Sequence, residues 1–204
     1  MKSNRSCSAA SAFLRPLGTA LCLLLALATT AGRAQTPASL VDDFSRADQT
    51  SRGAPRLMFD DKALGGHSHG TQQCAAGILS VAGELAPNRG SPAFITVPLL
   101  LSTDGTAQDL SAYQGVRVKL KVTKGNIYVQ VGSSAITNFD YHTSEVIGRS
   151  PEGFREIRIP FTAMKRAWSE QVPLDRKTVT SVNLVAVGMA KDQFAYEVDE
   201  VGLY

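Results

Sequence analysis

From Val116 to Val131 the side chains alternate so strictly that this stretch must present one apolar and one polar side. Val116, Val118, Leu120 and Val122 alternate with Arg117, Lys119 and Lys121. After Thr123-Lys124-Gly125-Asn126, the residues Ile127, Val129 and Val131 alternate with Tyr128 and Gln130. A period of two marks half-buried β-strand, because successive Cβ atoms point to opposite faces. A slip of one residue would bury Lys119 and Lys121 and expose Leu120, so the assignment of faces is firm. Taking Lys124-Gly125 as a two-residue loop predicts an antiparallel hairpin. Lys121 then lies opposite Tyr128 and Lys119 opposite Gln130.

Further β-patterned runs cover Leu40–Phe44, Gly77–Val81, Ala93–Leu101, Tyr141–Val146, Arg155–Pro160, Ser181–Val187 and Phe194–Leu203, separated by Gly, Pro, Asn and Asp. The last run alternates through Phe194, Tyr196 and Val198 and resumes at Val201 and Leu203. The missed beat at Asp199-Glu200 predicts a bulge. A short helical turn is expected at Ala163–Trp168, with Trp168 closing over the core. Some nine strands without βαβ spacing predict an all-β fold, a two-sheet antiparallel sandwich of jelly-roll type.

The first 34 residues read as a leader. Lys2, Arg5 and Arg15 precede an apolar run from Leu17 to Ala28, and small residues at Gly32 and Ala34 suit signal-peptidase cleavage after Ala34. The run is well short of the roughly 20 residues of a stable bilayer span. Gln35–Ser39 is a short polar linker, and residues 40–204 form one sandwich domain of ordinary size. These features predict a protein of the periplasm or the extracellular space. The leader carries four basic residues and no acidic one. Of 21 basic and 18 acidic residues the remainder therefore holds 17 and 18, which excludes the basic footprint of a nucleic-acid binder. Of the three cysteines only Cys74 lies beyond the leader. A lone Cys forms no intramolecular disulfide and reads as a small buried residue.

Several motifs occur in order along the domain: Val41-Asp42-Asp43-Phe44-Ser45, Asp60-Asp61 followed by Leu64-Gly65-Gly66-His67-Ser68, Asp109-Leu110-Ser111-Ala112-Tyr113-Gln114-Gly115-Val116, Arg158-Ile159-Pro160-Phe161, and Phe194 to Val201. Together they resemble the complex I intermediate-associated protein 30 family. That resemblance implies a galactose-binding-like β-sandwich, similar to family 11 carbohydrate-binding modules. Phe154 stands where the family usually carries Trp, and an aromatic core residue is expected there. The family takes its name from a chaperone for assembly of respiratory complex I, whereas an exported leader suits a carbohydrate-binding module better.

Three constellations are candidates for chemistry. Arg117, Lys119, Tyr128 and Gln130 line the polar side of the expected hairpin, offering an aromatic plane with hydrogen-bonding groups for a sugar or peptide, or simply a solvated face. Asp42, Asp43, Asp199 and Glu200 converge if the first and last strands are neighbours. Four hard oxygen donors suit a structural Ca²⁺, and the same carboxylates also serve as edge charges that discourage aggregation. His67 and His69, with His142 as a third ligand, form a candidate transition-metal set; both also fall at variable positions of the family's loop. Gly65 and Gly66 in that loop read as backbone requirements of a tight turn.

No phosphate-cradling glycine loop opening a helix and no Cys–His pair at a recognisable spacing is present. The sequence therefore predicts a non-catalytic exported module that binds a carbohydrate or protein ligand. An assembly factor for a membrane complex is the alternative that the resemblance implies, and a metal-dependent enzyme using His67 and His69 is the third reading.

Overall fold

The computed structural model describes residues 39–204; the leader and all but the last residue of the linker lie outside the described residues. Eleven strands follow in order: β1 (Leu40–Asp42), β2 (Phe59–Asp60), β3 (His69–Ala75), β4 (Ile78–Leu85), β5 (Ala93–Leu100), β6 (Gly115–Lys124), β7 (Tyr128–Ser133), β8 (His142–Thr143), β9 (Arg155–Pro160), β10 (Val179–Gly188) and β11 (Asp192–Leu203). Single 3-10 turns occupy Asp61–Leu64 and Phe161–Ala163; the second is earlier and shorter than the sequence suggests.

The strands form two antiparallel sheets. One runs β3-β4-β11-β6-β9 with β1 also on β11, and the other runs β2-β5-β10-β7-β8. On one side of β11, β6 pairs along residues 195–203. On its other side β4 pairs with residues 192–198 and β1 takes over at Val201 and Gly202. The apolar alternations meet between the sheets. Leu79, Val81, Val118, Leu120, Tyr196 and Val198 of the first sheet pack in one cluster with Ile95, Val97, Val129, Val131, Val182 and Leu184 of the second. Removing so much apolar surface from water is the main favourable contribution to folding.

The hairpin between β6 and β7 does not exist. β6 pairs with β11 and β9, and β7 pairs with β10 and β8. Gly125, at φ +63°, turns the chain from one sheet across to the other, and a Cβ there would stand 2.7 Å from the Gln193 carbonyl oxygen. Alternation alone does not separate the two arrangements. Two strands side by side on a core, or face to face across it, both point their apolar residues inward.

The bulge falls where the missed beat placed it, with the β6–β11 register slipping between Val198 and Glu200. Its effect is to turn both Asp199 and Glu200 outward, where they pair with Lys119 and Arg117. Two expected core aromatics lie at the surface instead: Trp168 is 69 % exposed and Phe154 is partly exposed.

Candidate functional site

The glycine loop is structural. Asp60 caps the first 3-10 turn through the Lys62 N–H. The buried Asp61 carboxylate accepts bonds from the Ser68 N–H (3.1 Å), the Ser68 hydroxyl (2.6 Å) and the Phe94 N–H (3.3 Å). Ser68 Oγ in turn accepts from the Ala86 N–H, which ties the loop to the end of β4. Gly65 takes the left-handed φ of +78°, and a Cβ on Gly66 would overlap the Asp61 carboxyl group. His67 and His69 flank this lock as exposed side chains, while His142 faces inward and its Nε2 meets the Val172 carbonyl at 2.7 Å. The three histidines do not converge. Among the described residues no group of three His, Cys, Asp or Glu is placed to hold a metal ion.

The four carboxylates proposed for calcium also stand apart, although β1 and β11 are neighbours. Asp42 is buried against the Arg56 guanidinium and accepts from the N–H groups of Phe44 and Ser51. Asp43 is engaged by Ser45 and Ser51. Asp199 and Glu200 face outward to their cations on β6. A carboxylate already neutralised by its own lysine or arginine is a poor ligand for a shared ion. Cys74 is also structural: its Sγ lies 3.1 Å from the Phe44 carbonyl oxygen, and burial pushes the thiol up, away from a reactive thiolate.

The binding-face candidates divide between the two sheets. Arg117 and Lys119 belong to the outer face of the six-stranded sheet, a field of ion pairs in which Lys121 also meets Glu197 at 3.1 Å. Tyr128 and Gln130 belong to the outer face of the five-stranded sheet, which is of different character. Its registers set Phe59, Thr96, Val185 and Tyr128 in one row across the strands. The next row is Pro98, Asn183, Gln130 and Thr143, and an isolated bridge from Thr143 adds Lys165 at the end. Continuing the β7–β8 register by one residue brings Tyr141 level with Gly132, where a Cβ would overlap the Ser181 hydroxyl.

This face combines aromatic planes with uncharged hydrogen-bonding groups. Asn183 lies in its middle, only 6 % exposed, and its Oδ1 has no hydrogen-bond partner among the described residues. A buried amide oxygen without a partner costs stability, so its retention at the centre of an outward face calls for a reason. Tyr141 is half-buried, and burial pushes its phenol up, so it stays a neutral donor over the physiological range. Tyr141, Thr143, Asn183 and Lys165 were missed from the sequence. The signal available was an Asn amid the apolar run Val182–Val187, and it points to a face only once the partner strands are known.

The profile of the complex I intermediate-associated protein 30 family matches residues 43–198. The chain belongs to that family. In three dimensions this family member is similar to the family 11 carbohydrate-binding module of the cellulosomal cellulase Lic26A-Cel5E of Clostridium thermocellum. That likeness has a TM-score of 0.56 at 15 % identity and covers 80 % of this chain and 92 % of the module. The Clostridium thermocellum family 11 module in complex with a β-1,3-1,4-mixed-linked tetrasaccharide is also similar, with a TM-score of 0.54 at 14 % identity, covering 81 % and 94 %. An agarase, AgWH50C, contains a like fold within 24 % of its length, with a TM-score of 0.52 at 8 % identity over 80 % of this chain. At these identities the likeness is one of fold: an all-β, two-sheet antiparallel sandwich shared by this family and the modules. No curated protein matches this family member by sequence. No helix among the described residues is long and apolar enough to cross a membrane.

Proposed function

We propose that the domain is an exported, non-catalytic glycan-binding module whose site is the outer face of the five-stranded sheet. The observation that carries this reading is the unpartnered, buried Asn183 amide oxygen at the centre of that face, between Tyr128 on one row and Tyr141 on another. Sugars present hydroxyl donors and apolar C–H faces in alternation. Amide, hydroxyl and aromatic groups on one rigid sheet answer both. A flat face grips an extended chain without an enclosed cavity. Of two depressions on the domain, one of about 170 Å³ lies beside Gly125 and Met189, and the other, of about 820 Å³ beside Phe161 and Leu174, reaches Lys165 at the end of the face.

The fold shared with a module solved with a mixed-linked tetrasaccharide supports a glycan as the ligand, by analogy. The basic start and apolar run before Ala34 support export to the periplasm or the extracellular space. The scarcity of clustered acid–base groups on the face supports binding without catalysis. Family membership keeps a role in assembling a membrane complex as the second reading, supported by the 43–198 match.

A glycan array probed with the full chain tests the first reading. Binding to uncharged polysaccharides is expected, and Tyr128→Ala should lower affinity by about tenfold while the protein melts as a folded domain. Asn183→Ala should weaken binding without loss of stability, since it removes an unsatisfied oxygen. An array without a hit, combined with specific capture of membrane-complex subunits from solubilised membranes, would transfer the conclusion to the assembly reading.

A further inference from the structure

Beside the proposed glycan face lies a loop pair built around a buried acid. Asp140, 1 % exposed, accepts three successive backbone N–H groups with its carboxylate: Ala167 at 2.8 Å, Trp168 at 3.1 Å and Ser169 at 2.6 Å. Arg166 Nε donates to the Asp140 carbonyl, and its Nη2 donates to Asn138 Oδ1. Asn138 Nδ2 closes the circuit on Ser169 Oγ at 3.0 Å. So many bonds hold the loop in one shape, yet what it displays is apolar. Trp168 is 69 % exposed and Phe139 is 73 % exposed. Phe139 also sits at φ +60°, a conformation that costs a side-chain-bearing residue energy and persists where the surroundings over-determine it. Its ring meets Tyr141 edge-on, 6.2 Å between centroids, which joins the loop to the outer face.

We propose that Phe139 and Trp168 form a preorganised end subsite of the same face, so that the protein selects extended, uncharged glycan chains over short ones. This rests on the glycan reading above. The rows from β2 to Lys165 cross five strand spacings, roughly 24 Å, and the loop follows directly on their far end. A short oligosaccharide fills the middle of such a face, whereas a longer one reaches the loop. The hydrogen bonds around Asp140 have already restricted the loop, so a ligand stacking there orders little.

The test is calorimetry on the full chain with the tetrasaccharide and the hexasaccharide of β-1,3-1,4-mixed-linked glucan. The wild type is expected to bind the hexasaccharide about tenfold more tightly than the tetrasaccharide. Trp168→Ala should erase that advantage and leave tetrasaccharide affinity unchanged, while Trp168→Tyr should keep most of it. A hexasaccharide advantage that survives Trp168→Ala, or an equal loss with both probes, overturns the subsite and leaves the central face standing. A wild type that binds neither probe overturns the length-selective subsite, whereas an empty glycan array is what overturns the central face.

Discussion

Gly66 and Asp61 show how little room a motif leaves. Glycine is needed at position 66 because the Asp61 carboxyl group occupies the space a Cβ would take, while at Gly65 the reason is the left-handed φ. The two substitutions should therefore differ. Gly66→Ala displaces an acid holding Ser68 and Phe94, and should cost about 2–4 kcal/mol in chemical denaturation. Gly65→Ala should cost about 1–2 kcal/mol, the strain of αL backbone alone. Another buried acid, Asp140, makes a pH prediction. Burial acts to raise the Asp140 carboxyl, but the hydrogen bonds from Ser169, Ala167 and Trp168 win and hold it below its usual range. A group depressed on folding stabilises above its unfolded pKa, about 3.9, and loses that contribution as pH falls through the folded value. The stability gap between wild type and Asp140→Asn should thus stay constant from pH 7 to about pH 5 and close only below about pH 4. Paired thermal melts across that range measure it. A gap that closes near neutrality would point to another group.

Among the elements, β6 and β7 carry the main correction. Their apolar residues were readable in sequence and all are buried: Val116, Val118, Leu120 and Val122 on one strand, Val129 and Val131 on the other. Their partners were not readable, because pairing is decided by which other strands compete for each edge. Here β11 and β9 take β6, while β10 and β8 take β7. Leu120→Ala should cost about 2–5 kcal/mol through the cavity it leaves, and Tyr128→Ala much less, as equilibrium unfolding of the two variants will compare. Double-mutant cycles offer a sharper check on topology. Lys119 should couple measurably to Asp199 and not at all to Gln130; coupling to Gln130 would restore the hairpin. The strand β3, His69-Gly-Thr-Gln-Gln-Cys-Ala75, escaped sequence reading because it is a polar edge strand with its residues half-buried at most. Edge positions suit such composition, since apolar alternation on an open edge invites aggregation.

Over the whole molecule, charge and neutrality are segregated by sheet. The outer side of the six-stranded sheet pairs Lys119, Lys121 and Arg117 with Asp199, Glu197 and Glu200, while the rows around Asn183 are aromatic and uncharged up to Lys165 at their end. If the uncharged side holds the ligand, glycan affinity should change by less than about twofold between low and physiological salt, because screening acts on charges. A steep salt dependence in the same titration would shift the search to the charged sheet. The sequence by itself determined the class of fold, the faces of the long strands, the bulge before Val201 and the family, for each rests on local alternation or on residues close along the chain. Tertiary structure alone decided that Tyr128 and Arg117 lie on opposite sheets, that Asp42, Asp199 and Glu200 each hold a separate cation although β1 and β11 are neighbours, and that Asn183 stands between two tyrosines. Those relations depend on which distant strands share an edge. Alternation records only the direction in which each residue points.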